Sequence, residues 1–553
     1  MAQLKKNHFA DTNFGKSYTI IMLIILLLIK SSSAVAGTTV VSTGNEFQNA
    51  LDVAANNGGD DVIILKAGRY IGGFNYESNE DYSLTIKSDD DLSANQVILD
   101  GDNIGKILEI DVGIYSANIQ IEKIAMINIG VNNGVNINTR GDVILSECQI
   151  SYNSKDFFKC YNANSVNLVK NKIFYNTSSQ ILFTIQDARK VFCIENQLFE
   201  NHNSGLIHIH NNTSILTDIN INYNSFYKNY AVGKRRIYTI GANTVNITHN
   251  IIHNTPGSFI DMGNYSSKIN FLNNFIYNSE SFGIVLRSKS ILFFSNNSIY
   301  NNHFSEGLVV YCENDIHIIN NLIVNNNFTD IYGTGFRVYK TGKILNVINN
   351  TITGNKGTQK GGGIFINNVS AGTINLYNNI IKNNVAEGKE NDIYIYGYSA
   401  KTYAFNNNYN YIVGGWDFEA NNIDTDPLFF NPENGDYHLQ PNSPCINAGN
   451  NNAPELPTID KDGDPRINNN IVDIGAFEHS TIIMHPADTN QDYTITQSEF
   501  DAYNQAWRND IDWQSNPNPV AADYLTRAGY ILQKGGKYKS TGARKPICWV
   551  PIE

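Results

Sequence analysis

The sequence predicts an all-β solenoid, a stack of similar coils, and three observations carry that expectation. The first is a short phrase that keeps returning. Asn171-Lys-Ile173-x-x-Asn176 recurs at Asn196/Leu198/Asn201, Asn224/Phe226/Asn229, Asn297/Ile299/Asn302, Asn321/Ile323/Asn326, Asn350/Ile352/Asn355 and Asn379/Ile381/Asn384. Two copies read one residue tighter, Asn250/Ile252/Asn254 and Asn274/Ile276/Asn278. Successive first asparagines lie 23 to 29 residues apart. A period of that length marks units that cannot bury an apolar face alone and must stack on their neighbours. The second is what lies between the phrases: short alternating or all-apolar runs, broken by Asn and Gly, which read as strands and turns. The third is composition. At 42% hydrophobic and 17% charged, with only 13 Pro, the chain can build a long core behind polar corners.

The amino terminus reads as an export signal. Lys5, Lys6 and Lys16 precede an apolar run over residues 19–29, and Ala34-Val35-Ala36 is a small-residue cleavage site. A spanning helix needs about 20 apolar residues, so cleavage before Gly37 is expected, giving a secreted or cell-surface protein. Removing residues 1–36 takes four Lys and one Asp and moves the formal charge from −12 to −15. Such acidity argues against nucleic acid as a partner. It also disfavours polyanions unless a cation or a local Arg cluster intervenes. The six cysteines show no metal spacing and read mainly as small buried hydrophobes, with a few disulfides possible. Cys148 stands in the Asn slot of its own phrase, Cys148-Gln-Ile150-x-x-Asn153.

Within residues 46–55, Phe47, Ala50, Leu51 and Ala54 have helical spacing. This predicts an amphipathic helix plugging the first coil, which residues 62–65 begin. Coils are expected to about residue 415. Each repeated Asn is expected at a corner, because Asn tolerates left-handed backbone, and its amide is expected to hydrogen-bond the next Asn along the stack. The aliphatic residue two positions later should point inward.

These coils resemble a right-handed parallel β-helix of the pectate-lyase-like superfamily. The resemblance implies such a domain, with its helical cap, over residues 37–415. It is silent on chemistry, since the superfamily holds lyases, glycosidases, isomerases, epimerases and inert adhesins. Residues 416–480 carry Asp426-Pro-Leu-Phe-Phe430, Gly435-Asp-Tyr-His-Leu439, Ser443-Pro-Cys-Ile-Asn-Ala-Gly449, Asp462-Gly-Asp-Pro-Arg466 and Asp473-Ile-Gly-Ala-Phe-Glu478. That string resembles the closing segment of bacterial surface β-helix proteins. Arg466, Asp473 and Glu478 are expected to form structural ion pairs there.

Residues 481–553 hold the clearest ligand chemistry. Asp488, Asn490, Asp492, Thr494, Thr496 and Glu499 fall at positions 1, 3, 5, 7, 9 and 12 of a loop. That is EF-hand spacing for calcium, with Thr494 giving its main-chain carbonyl and Glu499 both oxygens. Position 6, normally glycine, is Tyr493. Loop and following helix resemble half of a dockerin, which implies a cohesin-like partner. No second set of ligands follows, so a calcium-stabilised tail is the simpler expectation.

In the coils, inward pairs such as Ile207/Ile209, Leu308/Val310 and Ile393/Ile395 set a register. It turns outward His208, His210, Asp261, Arg287, Tyr311, Glu313, Arg337, Tyr339, Phe365, Tyr394 and Tyr396. Arg287, Tyr311, Arg337, Tyr339, Tyr394 and Tyr396 are the candidate glycan-binding stripe, with sugar rings stacking on aromatic faces. Catalysis has less behind it. Arg287 or Arg337 could be the base of a polysaccharide lyase, but no carboxylate cluster accompanies them. Asp261 and Glu313 are the nearest glycosidase pair. A His208/His210 metal site is weaker than a solvated strand face. The leading expectation is a monomeric polysaccharide-binding or adhesive β-helix protein with a calcium-binding tail. The alternative is a polysaccharide-degrading lyase or glycosidase.

Overall fold

The computed structural model describes residues 37–552, apart from 104, 131–133, 178–180, 204, 212–216, 232–236, 241, 257–259, 263–265, 330–335, 341–342, 359–360, 368–371, 387–388, 398, 468–469, 480–483, 515–516, 541–544 and 547. The proposed export signal lies outside these residues. No helix among them is long and apolar enough to cross a membrane.

The chain winds into a parallel β-solenoid with three strands in each typical coil. Face 1 contains strands such as Val135–Asn138, Gly205–His210 and Phe336–Lys340. Face 2 contains Asp142–Ser146, Thr217–Asn222 and Ile344–Ile348. Face 3 contains Gln149–Ser151, Ser225–Tyr227 and Thr351–Thr353. Face 3 is a 14-stranded sheet, while faces 1 and 2 run together in a 33-stranded network. Every expected inward pair on face 1 is buried, from Ile207 and Ile209 to Ile393 and Ile395, and all belong to one continuous core. Cys148 and Cys193 join that core, and all six cysteines are free and buried. Burial alone pushes the Cys193 thiol up to about 12, as expected of an inert side chain.

Two corners hold each coil together, and the asparagines do so from inside. Asn171, Asn196, Asn224, Asn250, Asn274, Asn297, Asn321, Asn350, Asn379, Asn407 and Asn422 form one unbroken column, each Nδ2 donating to the next Oδ1 at 2.9–3.1 Å. The same Oδ1 also accepts the preceding asparagine's main-chain N–H, as from Asn171 to Asn196. The second Nδ2 proton goes back one coil, from Asn196 to the Leu168 carbonyl at 2.7 Å. One amide thus ties three coils and leaves none of its own polar atoms unpaired. Cys148 takes the first slot, donating its N–H to Asn171 Oδ1.

The left-handed residue is not the ladder asparagine but the one before it. Lys170, Glu195, Tyr223 and His249 have φ of +56°, +57°, +59° and +56°. Left-handed backbone costs a non-glycine residue about 1–2 kcal/mol, which the buried amide that follows offsets. The two apparently tight phrases have the same origin. Asn254 and Asn278 occupy left-handed sites, φ +50° and +51°, and Thr255 and Ser279 take the ladder places. Asn153–Asn229 and Asn302–Asn384 are therefore two runs of a second column, bridged by Thr255 N–H to Ser279 Oγ at 3.3 Å and Ser279 N–H to Asn302 Oδ1 at 3.0 Å.

Helix α1 (Gly44–Ala54) forms where expected, with Thr43 and Glu46 in a capping box. It buries Phe47, Ala50, Leu51 and Ala54, with the Phe47 ring 4.6 Å from that of Phe74. After the last strands, residues 424–479 do not stay at the end of the stack. They run back along the outside over several coils, docked on left-handed asparagines. Asn406 Nδ2 donates to the Ala448 carbonyl, Asn378 to Asn450, Asn349 to Asp473 and Gly475, and Asn320 to Ile459. Tyr437, Ala476 and Phe477 cover Leu322 and Val324 on face 3. Arg466 and Glu478 pair at 3.1 Å, almost wholly buried. Asp473 does not join that pair; it accepts the N–H groups of Asn447 and His479.

Candidate functional site

Face 1 divides the expected stripe into two columns. Pairing places Asp261, Val285, Val309, Arg337, Phe365 and Tyr394 in one line. Arg287, Tyr311, Tyr339, Asn367 and Tyr396 make the other. The first line is largely covered: Val285, Val309 and Phe365 are buried, and Arg337 is only 5% exposed. Part of the cover is Gly361, at φ +71°, where an added Cβ would come within 3.1 Å of Phe365 Cβ and 3.2 Å of Tyr394 Cβ. The second line is open. Tyr396 is 58% exposed, and Arg287, Tyr311 and Tyr339 are half-buried.

Ring geometry changes what this line can do. Tyr311 and Tyr339 stack at 4.8 Å, 8° from parallel. The Arg287 guanidinium sits 5.3 Å from the Tyr311 centroid, on the column's other neighbour. Neighbouring coils thus use each other's ring faces, and what points outward is ring edge and hydroxyl. The facing ring surfaces of Tyr311 and Tyr339 are taken up by this stack, which leaves their edges toward solvent. Arg287 is also engaged, donating to Asp261 Oδ1 at 2.5 Å and to the Met262 carbonyl. This pairing occupies Asp261 and one of the two arginines named for catalysis; the other, Arg337, is buried under the cover of its own line. Glu313 lies just beyond the strand His303–Cys312 and is exposed. His208 and His210 lie side by side, 4.9 Å between centroids. Among the described residues no group of three or more His, Cys, Asp or Glu is gathered to hold a metal.

A longer aromatic column lies on face 3 and was not anticipated. Phe174, Phe199, Tyr227, His253, Tyr277 and Tyr300 stack through six successive coils at 4.9–5.4 Å, within 6° of parallel. Each is the residue after the inward apolar residue of its Asn phrase, so the signal was present in the repeat itself. It ends at Val324, where the returning segment begins to cover the face.

The loop at 488–499 leads into a helix through a left-handed turn. Tyr493, at its sixth position, has φ +63°, the left-handed backbone that glycine normally supplies. Asp488 accepts the N–H groups of Asp492 and Tyr493 and, at 2.7 Å, the hydroxyl of Tyr538. Ile495 donates its N–H to the Gly536 carbonyl and Tyr538 donates to that of Tyr493, so residues 536–538 pair with this loop. Helix α2 (Gln497–Arg508) starts at Thr496, its N-cap, with Glu499 completing the capping box. One Glu499 oxygen accepts from Thr489 and the other from Thr496. All the donor atoms are hard oxygens suited to calcium. The Glu499 carboxylate, however, is turned to the loop's own N–H and hydroxyl groups. Helix α3 (Ala522–Gln533) packs on α2 to complete this small unit.

Residues 206–360 match the family model described as the right handed beta helix region. No curated protein sequence matches the chain. Among solved structures it resembles that of a PL6 family alginate lyase, AlyGC, at 12% identity and TM-score 0.22, over 70% of this chain and 79% of that one. A superposition that loose bears on neither substrate nor chemistry.

Proposed function

We propose that this β-solenoid is an exported carbohydrate-binding protein, with α1 plugging its first coil and a calcium-ordered tail. The observation that carries the reading is the open column on face 1. Arg287, Tyr311, Tyr339 and Tyr396 present a guanidinium, ring edges and phenolic hydroxyls on a ladder whose rungs repeat at about 4.8 Å. A linear polysaccharide offers hydroxyls along its length to such edges. Binding without cleavage is favoured, because Arg287 and Asp261 are committed to each other. A glycan-array screen with a reducing-end assay on the same protein tests this. Retained glycan with no new reducing ends supports it, and new reducing ends overturn it.

For the tail, Asp488, Asn490, Asp492, the Thr494 carbonyl and Glu499 would hold calcium, which would supply a cross-link between loop and α2. The support is the loop path, with left-handed Tyr493 and the all-oxygen donor set. Protease resistance of residues 484–552 in the full chain, with calcium against chelator, tests it. Equal digestion in both would remove calcium from the proposal.

A further inference from the structure

A cleft of about 670 Å³ lies at the corner between faces 1 and 2, far down the stack from the aromatic column of face 1. Its walls include Arg140, Asp142, Asn162, Asn164, Asp187 and Arg189. The arginines stand out. Asn164 donates its N–H to the Gly141 carbonyl, and Arg189 donates to that of Ala163. Arg140 and Arg189 are therefore two coils apart, about 10 Å along the axis. Both are exposed, and neither guanidinium has a hydrogen bond or ion pair within the described residues. The carboxylates beside them are not their partners. Asp142 Oδ1 accepts Asn164 Nδ2 and Ser165 Oγ, each at 2.8 Å, and Asp187 accepts Gln186 Nε2 at 3.1 Å.

The surroundings reinforce this. The chain as a whole is strongly acidic, at −12, yet over residues 116–195 Lys and Arg outnumber Asp and Glu eight to six. Guanidinium forks recognise planar or tetrahedral oxyanions in two-pronged fashion. Between the forks, Asn162 and Asn164 each give one Nδ2 proton to a neighbour, Asn138 and Asp142, and keep the second proton and the amide oxygen for a hydroxyl-rich ligand.

We propose that this cleft binds an acidic oligosaccharide, with Arg140 and Arg189 each taking a carboxylate or sulfate about two coils apart. It rests on the carbohydrate-binding reading above and adds a second site with its own charge selectivity.

The test titrates the full chain by calorimetry with oligogalacturonate, with chondroitin sulfate oligosaccharides and with neutral cello-oligosaccharides. Expected is binding of at least one acidic ligand in preference to the neutral one, weakened by added salt and by about tenfold or more in the doubly substituted Arg140→Ala/Arg189→Ala protein. Which acidic ligand binds decides between carboxylate and sulfate. Val53→Ala, on the exposed side of α1 and in neither site, should leave that binding unchanged. Acidic binding that keeps its affinity and its salt dependence in the double substitution overturns the cleft. If Tyr339→Ala instead abolishes all glycan binding while the arginine variants do not, the face 1 reading stands and the cleft falls. If no glycan binds, both fall. The fold contacts of both arginines among the described residues are main-chain hydrogen bonds, which alanine keeps, and circular dichroism checks that the variants stay folded.

Discussion

Asn297 and Asn321, 24 residues apart in the chain, share one oxygen: Asn321 Oδ1 accepts both the Nδ2 proton of Asn297, at 3.0 Å, and its main-chain N–H, at 2.9 Å. Asn297 in turn receives two donors from Asn274 and reaches back to the Phe271 carbonyl. Replacing it with alanine strips a donor or acceptor from both adjoining coils at a wholly buried place. Asn297→Ala should cost about 3 kcal/mol or more, read as a lowered urea midpoint. An unchanged midpoint would mean that water replaces the ladder freely.

The break in the second column is the complementary case. Thr255→Asn with Ser279→Asn would join the Asn153–Asn229 run to the Asn302–Asn384 run. Each restored bond is worth about 1 kcal/mol net, so the double variant should unfold at higher urea. Destabilisation would show that the pocket at these coils is too small for an amide.

In the returning segment, Arg466 donates to Glu478 and to the carbonyls of Gly475 and Ala476. Arg466→Met leaves a carboxylate buried without its cation and should cost about 3–5 kcal/mol. The expected readout is early proteolytic cutting within 424–479, with the coils still protected. Pairing it with Glu478→Leu should restore much of the loss.

His485 makes the tail sensitive to acid. It is buried, its Nδ1 accepts from the Ala487 N–H at 3.0 Å, and its Nε2 faces the Tyr524 carbonyl at 3.2 Å. Burial pushes its pKa down to about 3. A depressed imidazole means that the folded tail holds the neutral form. Its stability is therefore full above the ordinary value of 6.5 and falls as the pH drops from there towards 3. Tryptophan fluorescence of the tail should show cooperative loss in that window. His485→Gln should flatten the dependence.

Much of this architecture is legible in the chain, and the reason is the ladder. Each buried Asn stands at a fixed offset from an inward aliphatic, so the repeat reports both corner and register. The residue before it is Lys170, Glu195, Tyr223 and His249 in the early coils and asparagine in every coil from Asn273 to Asn421, because left-handed backbone is required there and asparagine tolerates it. That is why Asn254 and Asn278 pass for ladder members in the sequence. The split of the face 1 stripe is equally hidden. Arg337 and Arg287 both face outward by alternation, and it is the pairing between coils, with the cover over Phe365 and Tyr394, that separates them. Arg140 and Arg189 are ordinary turn residues until two turns of the solenoid bring them to one cleft.

The ladder also has a polarity. From Asn171 to Asn407 in the first column, and from Asn302 to Asn384 in the second, each amide gives an N–H to the following coil, so within these runs the dipoles add head to tail along the axis, much as peptide units do in an α-helix. The electropositive end of the second column falls beyond Asn384. There the chain places the carboxylate of Asp392, which accepts Asn384 Nδ2 at 3.1 Å and the N–H groups of Asn384 and Asn410 at 3.0 and 2.9 Å. An anion that can only accept is the natural terminator for a wire made of donors, and it gives the rod an electrical direction as well as a mechanical one.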